Sequence, residues 1–272
     1  GIGAYRESAM DDAYLAFATQ PTGGNYTERL RIDSNGRVLV GHTASRAISG
    51  GNSLLQIEKN SSELATFLRT SNDTGAPWLA IAKSRSSAGA ICVAGDQVGG
   101  IAFIPHDGVD LNHHCAEIRA YVDTGIAAND VPGYLTFNTT ADGSSTTTER
   151  LRILSNGNIR QTKTGANVNL TLSRNESVDT DDTAVAVLDF ANNTAHTVNS
   201  RIMAKTSGTG NVGGQLVVET RDESNSTLAE RLRINSSGRL LIGTTDDTTV
   251  WGFGNGSLQV KGDYQGGSAS FI

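Results

Sequence analysis

"ERLRIDSNGRVLV" occupies residues 28–40 and consists of two short amphipathic segments separated by a turn that ends in glycine. Its first five letters return at residues 149–153 and 230–234, and each copy is followed within four residues by Asn-Gly or Ser-Gly. A word repeated in this way indicates a repeated structural part. We predict that each copy forms a hairpin of the repeat, at Glu28, Arg29, Leu30, Arg31, Ile32 and Gly36, at Glu149, Arg150, Leu151, Arg152, Ile153 and Gly157, and at Glu230, Arg231, Leu232, Arg233, Ile234 and Gly238.

Charged and apolar letters alternate within the repeated word. In an extended chain Glu28, Leu30 and Ile32 share one face of the strand, whereas Arg29 and Arg31 share the other. We therefore expect the leucine and isoleucine to be buried and the charged side chains to lie at the margin of a thin sheet. Charges at that margin suit either solvent, where they discourage aggregation of sheet edges, or ion pairs with an adjacent chain.

The turn decides which residues of the hairpin face each other. A two-residue turn would place charged side chains opposite apolar ones. A three-residue loop over 34–36, with its glycine in the left-handed region, instead opposes Ile32 to Val38 and Leu30 to Val40. This register gathers four apolar side chains on one face, and the buried face of a strand is what fixes its register. We therefore predict the three-residue loop.

Composition and charge exclude several classes of function. The 272 residues are 37% hydrophobic and 6% aromatic, and they include 31 glycines, which favours several thin modules over one large core. A net charge of −6 offers no basic surface for nucleic acid. No apolar run approaches the ~20 residues that span a bilayer, so membrane insertion is not expected. Cys92 and Cys115 are too few for a disulfide framework.

The repeated words are unevenly spaced. Their glutamates stand at positions 28, 149 and 230, which are 121 and 81 residues apart, so the units differ in length. Extra strand-like segments at 78–82 and 89–95 account for most of the longer spacing. The predicted division is the C-terminal part of a first repeat unit at 1–45, a long unit at 46–163, a short unit at 164–246 and the start of a further unit at 247–272. The chain is expected to be a segment of a longer fibre.

Three stretches together carry a family resemblance. "PGYLTFNTTADGSSTTTERLRILSNGNI" (132–159), "RLRINSSGRLLIGTT" (231–245) and "RLRIDSNGRVLVGHT" (29–43) resemble the repeats of bacteriophage tail fibres and other virion fibres, especially those of marine and cyanobacterial phages. The resemblance implies parallel, in-register homotrimers. The middle copy departs from the pattern, because "NIRQT" (158–162) lacks the closing glycine and Gln161 replaces an apolar partner.

One segment, "HDGVDLNHHC" (106–115), concentrates side chains that can bind metals. His106, His113, His114 and Cys115 would suit zinc or iron, although neighbouring histidines on a strand point to opposite faces and do not readily share an ion within one chain. In a trimer, one histidine from each chain would be able to meet on the axis. A polar loop is the preferred interpretation, so no metal or cofactor site is assigned.

Other candidates for chemistry are scattered. The carboxylates at Asp107, Asp110, Asp123 and 179–182 are interpreted as turn residues, since no spacing selects a glycosidase pair or a known calcium loop. The aromatic residues Trp78, Trp251, Tyr121, Tyr134 and Tyr264 are expected to pack against strands, with stacking on sugars as the alternative. No nucleophile motif is present, and the chain is predicted not to be an enzyme.

These patterns predict an all-β fold, built as an elongated repeat fibre of short antiparallel strands and hairpins in stacked modules. The resemblance to virion fibres implies that three such chains form an intertwined homotrimer. The resemblance implies a structural virion protein, the shaft segment of a tail fibre that contributes to host attachment. Its expected partners are its own copies, tail or baseplate proteins, and a host surface polysaccharide or receptor contacted by loops 105–115 and 123–132. A polysaccharide depolymerase and a bacterial adhesin remain alternatives.

Overall fold

The structure is a computed structural model that describes residues 1–6, 12–165, 167–174, 180–192, 197–208, 213–222, 227–245 and 258–260. Within these ranges the chain forms sixteen β-strands and no helix, which confirms the all-β prediction. No helix in the described ranges is therefore long and apolar enough to cross a membrane. The chain divides into two compact units, residues 1–168 and 169–272.

The first unit contains two five-stranded sheets. Sheet 1 consists of β1 (Ile2–Arg6), β2 (Ala13–Thr19), β3 (Thr27–Ile32), β4 (Val38–Val40) and β5 (Leu55–Ile57) in that order. Sheet 2 consists of β6 (Gln97–Phe103), β7 (Ala116–Val122), β8 (Gly133–Thr140), β9 (Thr147–Ile153) and β10 (Ile159–Gln161), also in chain order. All neighbours are antiparallel except β4 and β5, which run parallel.

The second unit contains sheet 3, in which six strands follow one another in chain order. They are β11 (Ala184–Asn192), β12 (Thr197–Ser207), β13 (Gly213–Arg221), β14 (Leu228–Ile234), β15 (Leu240–Ile242) and β16 (Leu258–Val260). Only the last pair, β15 and β16, is parallel. The division at residues 45, 163 and 246 stays a prediction, although β5, which lies beyond the first of these boundaries, pairs with β4.

The hairpin register is the predicted one. Ile32 faces Val38 and Leu30 faces Val40. The turn glycine, Gly36, has a φ of +76° and donates its amide to the carbonyl of Asp33 at 2.9 Å. The other two copies close in the same register. Glycine adopts the left-handed region without the steric cost of a Cβ, which is why all three turns end in it.

A β-bulge corrects the predicted arrangement of faces. Phe17 pairs with Leu30, but the next residue of β2 pairs with Glu28, so Arg29 is an extra residue in β3. The bulge turns Glu28 to the face of Arg31, and the prediction that Glu28 shares the face of Leu30 is wrong. Equivalent register shifts occur between β8 and β9 and between β13 and β14. Alternation alone misses them because a bulge depends on the partner strand.

One face of each sheet carries two apolar rows, which we call the apolar stripe. Its members are Ile2, Phe17, Leu30, Val40, Ile57, Leu15, Ile32, Val38 and Leu55 in sheet 1, Ile101, Ile118, Phe137, Leu151, Leu135, Ile153 and Ile159 in sheet 2, and Leu188, Ile202, Val218, Leu232, Ile242, Leu216, Ile234 and Leu240 in sheet 3. None of these side chains is fully buried within the chain.

Burial in the single chain is concentrated on the face opposite the stripe. The fully buried apolar side chains there are Ala16, Leu39, Met203, Val217 and Leu241. They lie in the cross-strand rows of Arg31 and Arg233. The prediction that the leucine and isoleucine of the repeated word are buried is therefore wrong for the chain alone. Because the arginines lie beside these apolar residues, their ion pairs are partly shielded from water.

Two segments predicted to be strand-like form no strand. These are 78–82 and 89–95. Their large apolar side chains are exposed, and Trp78 is 91% exposed, so its predicted packing against neighbouring strands is wrong for the chain alone. Short apolar runs without a hydrogen-bonded neighbour do not form stable strands, whatever their propensity. Trp251, Tyr264 and Asp179 lie outside the described residues.

Candidate functional site

The bulged hairpin builds the same ion pair in all three sheets. The arginine Nε donates to the glutamate carboxylate three residues earlier, at 2.7 Å for Arg31 and 2.8 Å for Arg233, and Arg152 Nη2 approaches Glu149 at 2.5 Å. A second N–H of each arginine completes a two-point contact. Such paired bonds between guanidinium and carboxylate are directional and relatively strong. The repeated ERLRI motif thus forms a two-point ion pair between its glutamate and its second arginine, which we call the charge clamp.

The extra arginine of each bulge makes its own contact. Arg29, Arg150 and Arg231 donate Nε to a threonine hydroxyl of the neighbouring strand at 2.9, 2.9 and 3.1 Å. Because the bulge places two successive side chains out of alternation, the two arginines of each copy perform different tasks. The second arginine of each motif forms an ion pair with the glutamate of the same motif. The first arginine donates a hydrogen bond to the neighbouring strand.

Sheets 1 and 2 add aromatic stacking to the clamp. The guanidinium of Arg31 lies 3.6 Å from the centroid of the Tyr14 ring, and Tyr14 stacks on Tyr5 at 5.4 Å. In sheet 2 Arg152 lies 4.3 Å from the Tyr134 centroid, and Tyr134 stacks on Tyr121 at 5.1 Å. A cation over an aromatic face is attracted by the ring's electrons. Tyr121 and Tyr134 thus face each other, and Arg152 covers one side of the stack.

Sheet 3 replaces the aromatic stack with polar partners. Arg233 Nη1 donates to Gln215 at 2.5 Å and approaches Asp182 at 2.9 Å, while Lys205 contacts the same aspartate at 3.1 Å. The bonds to Glu230 and Asp182 raise the pKa of Arg233. Burial raises the pKa of Asp182, but its bonds with Lys205 and Arg233 outweigh this and lower it. The carboxylate therefore stays ionised among the fixed cations.

The segment 106–115, which we call the histidine-rich loop, contains a small acidic cluster. One ligand atom each of Asp107, Asp110 and His113 lies within 4.8 Å of the others. His113 Nδ1 is 2.9 Å from Asp107 Oδ2, while Asp107 Oδ1 accepts the amides of Val109 and Asp110. These amide bonds and the histidine lower the pKa of Asp107. The cluster is largely exposed, and its polar atoms already bond to one another.

The four candidate metal ligands of this loop do not come together. His106 Nδ1 accepts the Gly108 amide at 3.0 Å, and Cys115 Sγ faces the carbonyl of Phe103 at 3.3 Å. His113 belongs to the acidic cluster, whereas His114 turns to the sheet. This separation of the adjacent histidines agrees with the opposite faces expected for them. Whether copies of one histidine meet in an assembly stays a prediction.

His114 takes part in a hydrogen-bonded chain that sequence reasoning missed. Its Nδ1 makes a short bond to Glu117, and its Nε2 lies 2.7 Å from Ser49 Oγ. Glu117 is almost completely buried and also accepts Arg119 Nη2 at 2.5 Å and Thr147 Oγ1 at 2.6 Å. Burial raises the pKa of Glu117, but these bonds outweigh it and lower the pKa to about 2.

A polar cavity of about 340 Å³ opens beside this chain. Ser49, Asn112, His114, Glu117, Arg119 and Thr147 contribute to its lining. Ser49 reaches it because the 48–51 turn rests on the histidine-rich loop, where the Ser49 amide donates to Leu111 at 2.9 Å. Ser49 and His114 are 65 positions apart in the chain, so no local sequence pattern reveals their contact.

Solved structures of phage fibres are similar to this chain at a low level. The carboxy-terminal domain of the bacteriophage T5 L-shaped tail fibre matches with 12% identity and a TM-score of 0.34, over 76% of this chain and 100% of that chain. The same domain with its intramolecular chaperone domain matches with 13% identity and a TM-score of 0.34, over 76% and 69%. No protein-family model and no curated protein matches the chain.

Proposed function

We propose that this chain is a shaft segment of a homotrimeric phage tail fibre, carried on the virion, that contributes to attachment to the host cell. The observation that carries the proposal is the apolar stripe, which recurs at corresponding positions in three sheets and is left partly exposed in each. Apolar surface of this extent is stabilising only when it is covered. The resemblance of the repeats to those of virion fibres supports the same assignment.

The exposure of individual stripe side chains supports burial against other copies. Ile2, Ile101 and Ile159 are 72%, 52% and 69% exposed. Contiguous apolar surface of this kind marks an interaction face. Each sheet therefore offers apolar area that an obligate assembly would bury.

The proposed occupant of the stripe is a second and third copy of the chain. The stripe itself carries no charged side chain, and the glutamates and arginines of the repeated word are paired on the opposite face or at the bulge. Identical stripes brought together therefore bury apolar rows without desolvating an unpaired charge. Repetition in three sheets also favours one register, because every stripe is matched at the same time.

Segments without strand pairing supply further surface for association. The region 63–93 contains large apolar side chains that are about half or more exposed, namely Leu64, Phe67, Leu68, Trp78, Leu79, Ile81 and Ile91. In an intertwined trimer such a segment would gain neighbouring strands from other chains, as expected from its strand-like sequence. Repeat proteins commonly reach stability through stacking that a single unit lacks.

Host attachment is proposed to use the exposed loops 105–115 and 123–132. Loops tolerate changes of sequence while the sheets keep their geometry. Weak contacts with a surface polysaccharide or receptor gain strength when several fibres bind at once. Tail or baseplate proteins are the proposed partners within the virion. Attachment of this kind requires no covalent step.

The trimer is tested by placing a charge on the stripe. Ile101 is 52% exposed, so Ile101→Glu changes the stability of a lone chain little but places three carboxylates in the proposed interface. Val109→Glu, at an 83% exposed loop position, is the matched control. We expect sedimentation velocity to give a trimer for the parent and for Val109→Glu and a smaller species for Ile101→Glu. A monomeric parent, or a trimer that tolerates Ile101→Glu, would refute this interface.

Attachment has its own test. Purified chain added to host cells should compete with phage adsorption, and exchanging loops 105–115 and 123–132 for Gly-Ser segments should remove the competition while leaving the trimer intact. Competition that persists after both exchanges would exclude these loops as the contact surface.

A further inference from the structure

Three side chains in the first unit form a continuous relay of hydrogen bonds. Ser49 Oγ lies 2.7 Å from His114 Nε2, and His114 Nδ1 makes a short bond to Glu117. Ser49 belongs to the 48–51 turn, His114 precedes β7, and Glu117 lies within β7. The order is hydroxyl, imidazole and buried carboxylate. It is the order in which a base activates a hydroxyl nucleophile while a third group orients the base.

The positions of the protons in the relay follow from the protonation state of Glu117. With a pKa of about 2 this carboxylate is ionised at neutral pH and accepts hydrogen bonds only. His114 Nδ1 must therefore carry the proton of that bond. In the neutral imidazole Nε2 is then the acceptor, and Ser49 Oγ–H is the donor. In this tautomer the Ser49 hydroxyl donates to the nitrogen that would remove its proton.

The turn holds Ser49 in a conformation that serine seldom adopts. Its φ is +56°, and Ile48 and Gly51 close the turn by a β-bridge. A side chain in this left-handed region costs about 1–2 kcal/mol, and glycine or asparagine is the usual choice. The Gly50 amide donates to Asn112 Oδ1 at 2.8 Å, which ties the turn to the opposite loop. The serine is exposed beside the polar cavity.

We propose that Ser49, His114 and Glu117 form a hydrolytic site for carboxylic esters. Ser49 Oγ attacks the ester carbonyl, and its proton passes to His114 Nε2 as the new O–C bond forms. The C–O bond to the alcohol then breaks, and the alcohol leaves with that proton. Water attacks the acyl-serine, gives a proton to His114 and releases the acid, after which the proton returns to Ser49. The net reaction converts ester and water to acid and alcohol.

Each member of the site has a distinct role. Ser49 is the catalytic nucleophile, and His114 is the base and acid that touches the reacting atoms. Glu117 is a positioning residue, since it holds the imidazole and stabilises its charged form. The Gly50 amide follows the nucleophile directly and is a donor for the developing oxyanion once the substrate displaces Asn112 Oδ1.

The cavity indicates the class of ester. Its lining is polar, with Asn112, Thr146, Thr147 and Arg119 beside the relay. A polyhydroxy alcohol would find hydrogen-bond partners on these groups, whereas a long apolar acyl chain would not. The inferred substrates are short-chain acyl esters of sugar-like alcohols. This inference does not depend on the proposed attachment role.

The test uses the full chain and p-nitrophenyl acetate, together with a fluorophosphonate probe that bonds covalently to activated serines. Ser49→Gly removes the hydroxyl and relieves the positive φ, so the turn is expected to stay folded. Ser87→Gly, at an exposed loop position outside the cavity, is the control. We expect Ser49→Gly and His114→Gln to lower the rate by about 100-fold or more, while Ser87→Gly leaves it unchanged.

Glu117→Gln separates positioning from packing, because the amide keeps the side-chain shape but loses the negative charge. We expect slower acetate release at unchanged folding, as judged by far-UV circular dichroism. Peptide mapping should place the fluorophosphonate on Ser49, and p-nitrophenyl octanoate should be a poorer substrate than the acetate. Hydrolysis that survives in Ser49→Gly, or a parent chain that neither hydrolyses the acetate nor takes up the probe, would overturn the proposal.

Discussion

The closing strand of the hairpin differs between sheet 1 and sheet 2, although both follow the same repeated word. In sheet 1 β4 pairs with the parallel strand β5, and Leu39 is completely buried. In sheet 2 β10 is exposed along its whole length, and the described residues between it and β11 form no strand. Sheet 3 resembles sheet 1, because β15 pairs with β16 and Leu241 is buried.

A single position after the closing strand accounts for this difference. Gly41, Thr162 and Gly243 occupy the same place, since each donates its amide to the bulge arginine's carbonyl at 2.9, 3.1 and 3.1 Å. Gly41 has a φ of +82°, and a Cβ there would lie 2.2 Å from the carbonyl oxygen of Glu58. A side chain at this position therefore excludes the approach of a fifth strand. In sheet 1, a glycine just outside the repeated motif thus leaves the space that the backbone after β5 occupies.

The largest expected loss of stability comes from giving sheet 1 the threonine that sheet 2 has after its closing strand. Gly41→Thr should destabilise the β4–β5 pairing by about 4 kcal/mol, since backbone strain at positive φ adds to the overlap with Glu58. Hydrogen exchange of the Glu58 amide, which donates to Val40 at 2.9 Å, measures the loss. Gly23→Thr is the control, because its φ is +74° but its Cβ would meet nothing within 4 Å. Equal losses in both variants would exclude the close approach as the cause.

The next effect compares the charge clamps of sheets 3 and 2. The Arg233 side chain is 9% exposed and faces two carboxylates, whereas Arg152 is 24% exposed and its closest carboxylate is Glu149 alone. Arg233→Ala should cost about 3 kcal/mol because it removes the partner of the Glu230 carboxylate, whose side chain is 13% exposed, and Arg152→Ala about 1 kcal/mol. Denaturant unfolding monitored by amide exchange in β9 and β14 separates the two. A larger loss of stability in Arg152→Ala than in Arg233→Ala would show that the aromatic stack contributes more to the stability of the ion pair than burial does.

Acid should weaken sheet 2 through Glu117. The folded pKa is about 2 against an ordinary value of 4.5, so this carboxylate contributes stability that is fully present above pH 4.5 and is lost as the pH falls towards 2. The contribution is about 3 kcal/mol. Exchange rates of the β7 amides between pH 5 and 2 measure it, and Glu117→Gln should flatten the profile. An unchanged profile in this variant would assign the acid sensitivity to another group.

The smallest effect concerns the aromatic stack of sheet 1. Tyr14→Leu keeps apolar bulk beside Arg31 but removes the cation–ring contact, so a loss of about 0.5–1 kcal/mol is expected. The ion pair with Glu28 should persist, which the unchanged exchange of β3 amides would show. In sheet 3, Gln215→Tyr makes the opposite change, because it introduces an aromatic ring beside Arg233. A loss above 2 kcal/mol for Tyr14→Leu would mean that the tyrosine is part of the clamp rather than a cover for it.

The sequence alone determined the local features of the fold. The hairpin register, the turn glycines and the absence of helix from the described residues all follow from alternation and from residues within about ten positions of one another. The repeated motif also marks corresponding strands, because β3, β9 and β14 each contain one copy and each pairs with a short closing strand. These features are local, so each is encoded in a continuous stretch of chain.

Only the tertiary structure decided the remaining features. The bulge that turns Glu28 to Arg31 requires β2 as a partner, and the burial of Leu39 depends on a strand that begins at Leu55. The contact between Ser49 and His114 joins two loops that are far apart in the chain. Pairing, burial and hydrogen bonding between distant residues depend on how the strands are brought together, and no periodicity within one segment specifies that arrangement.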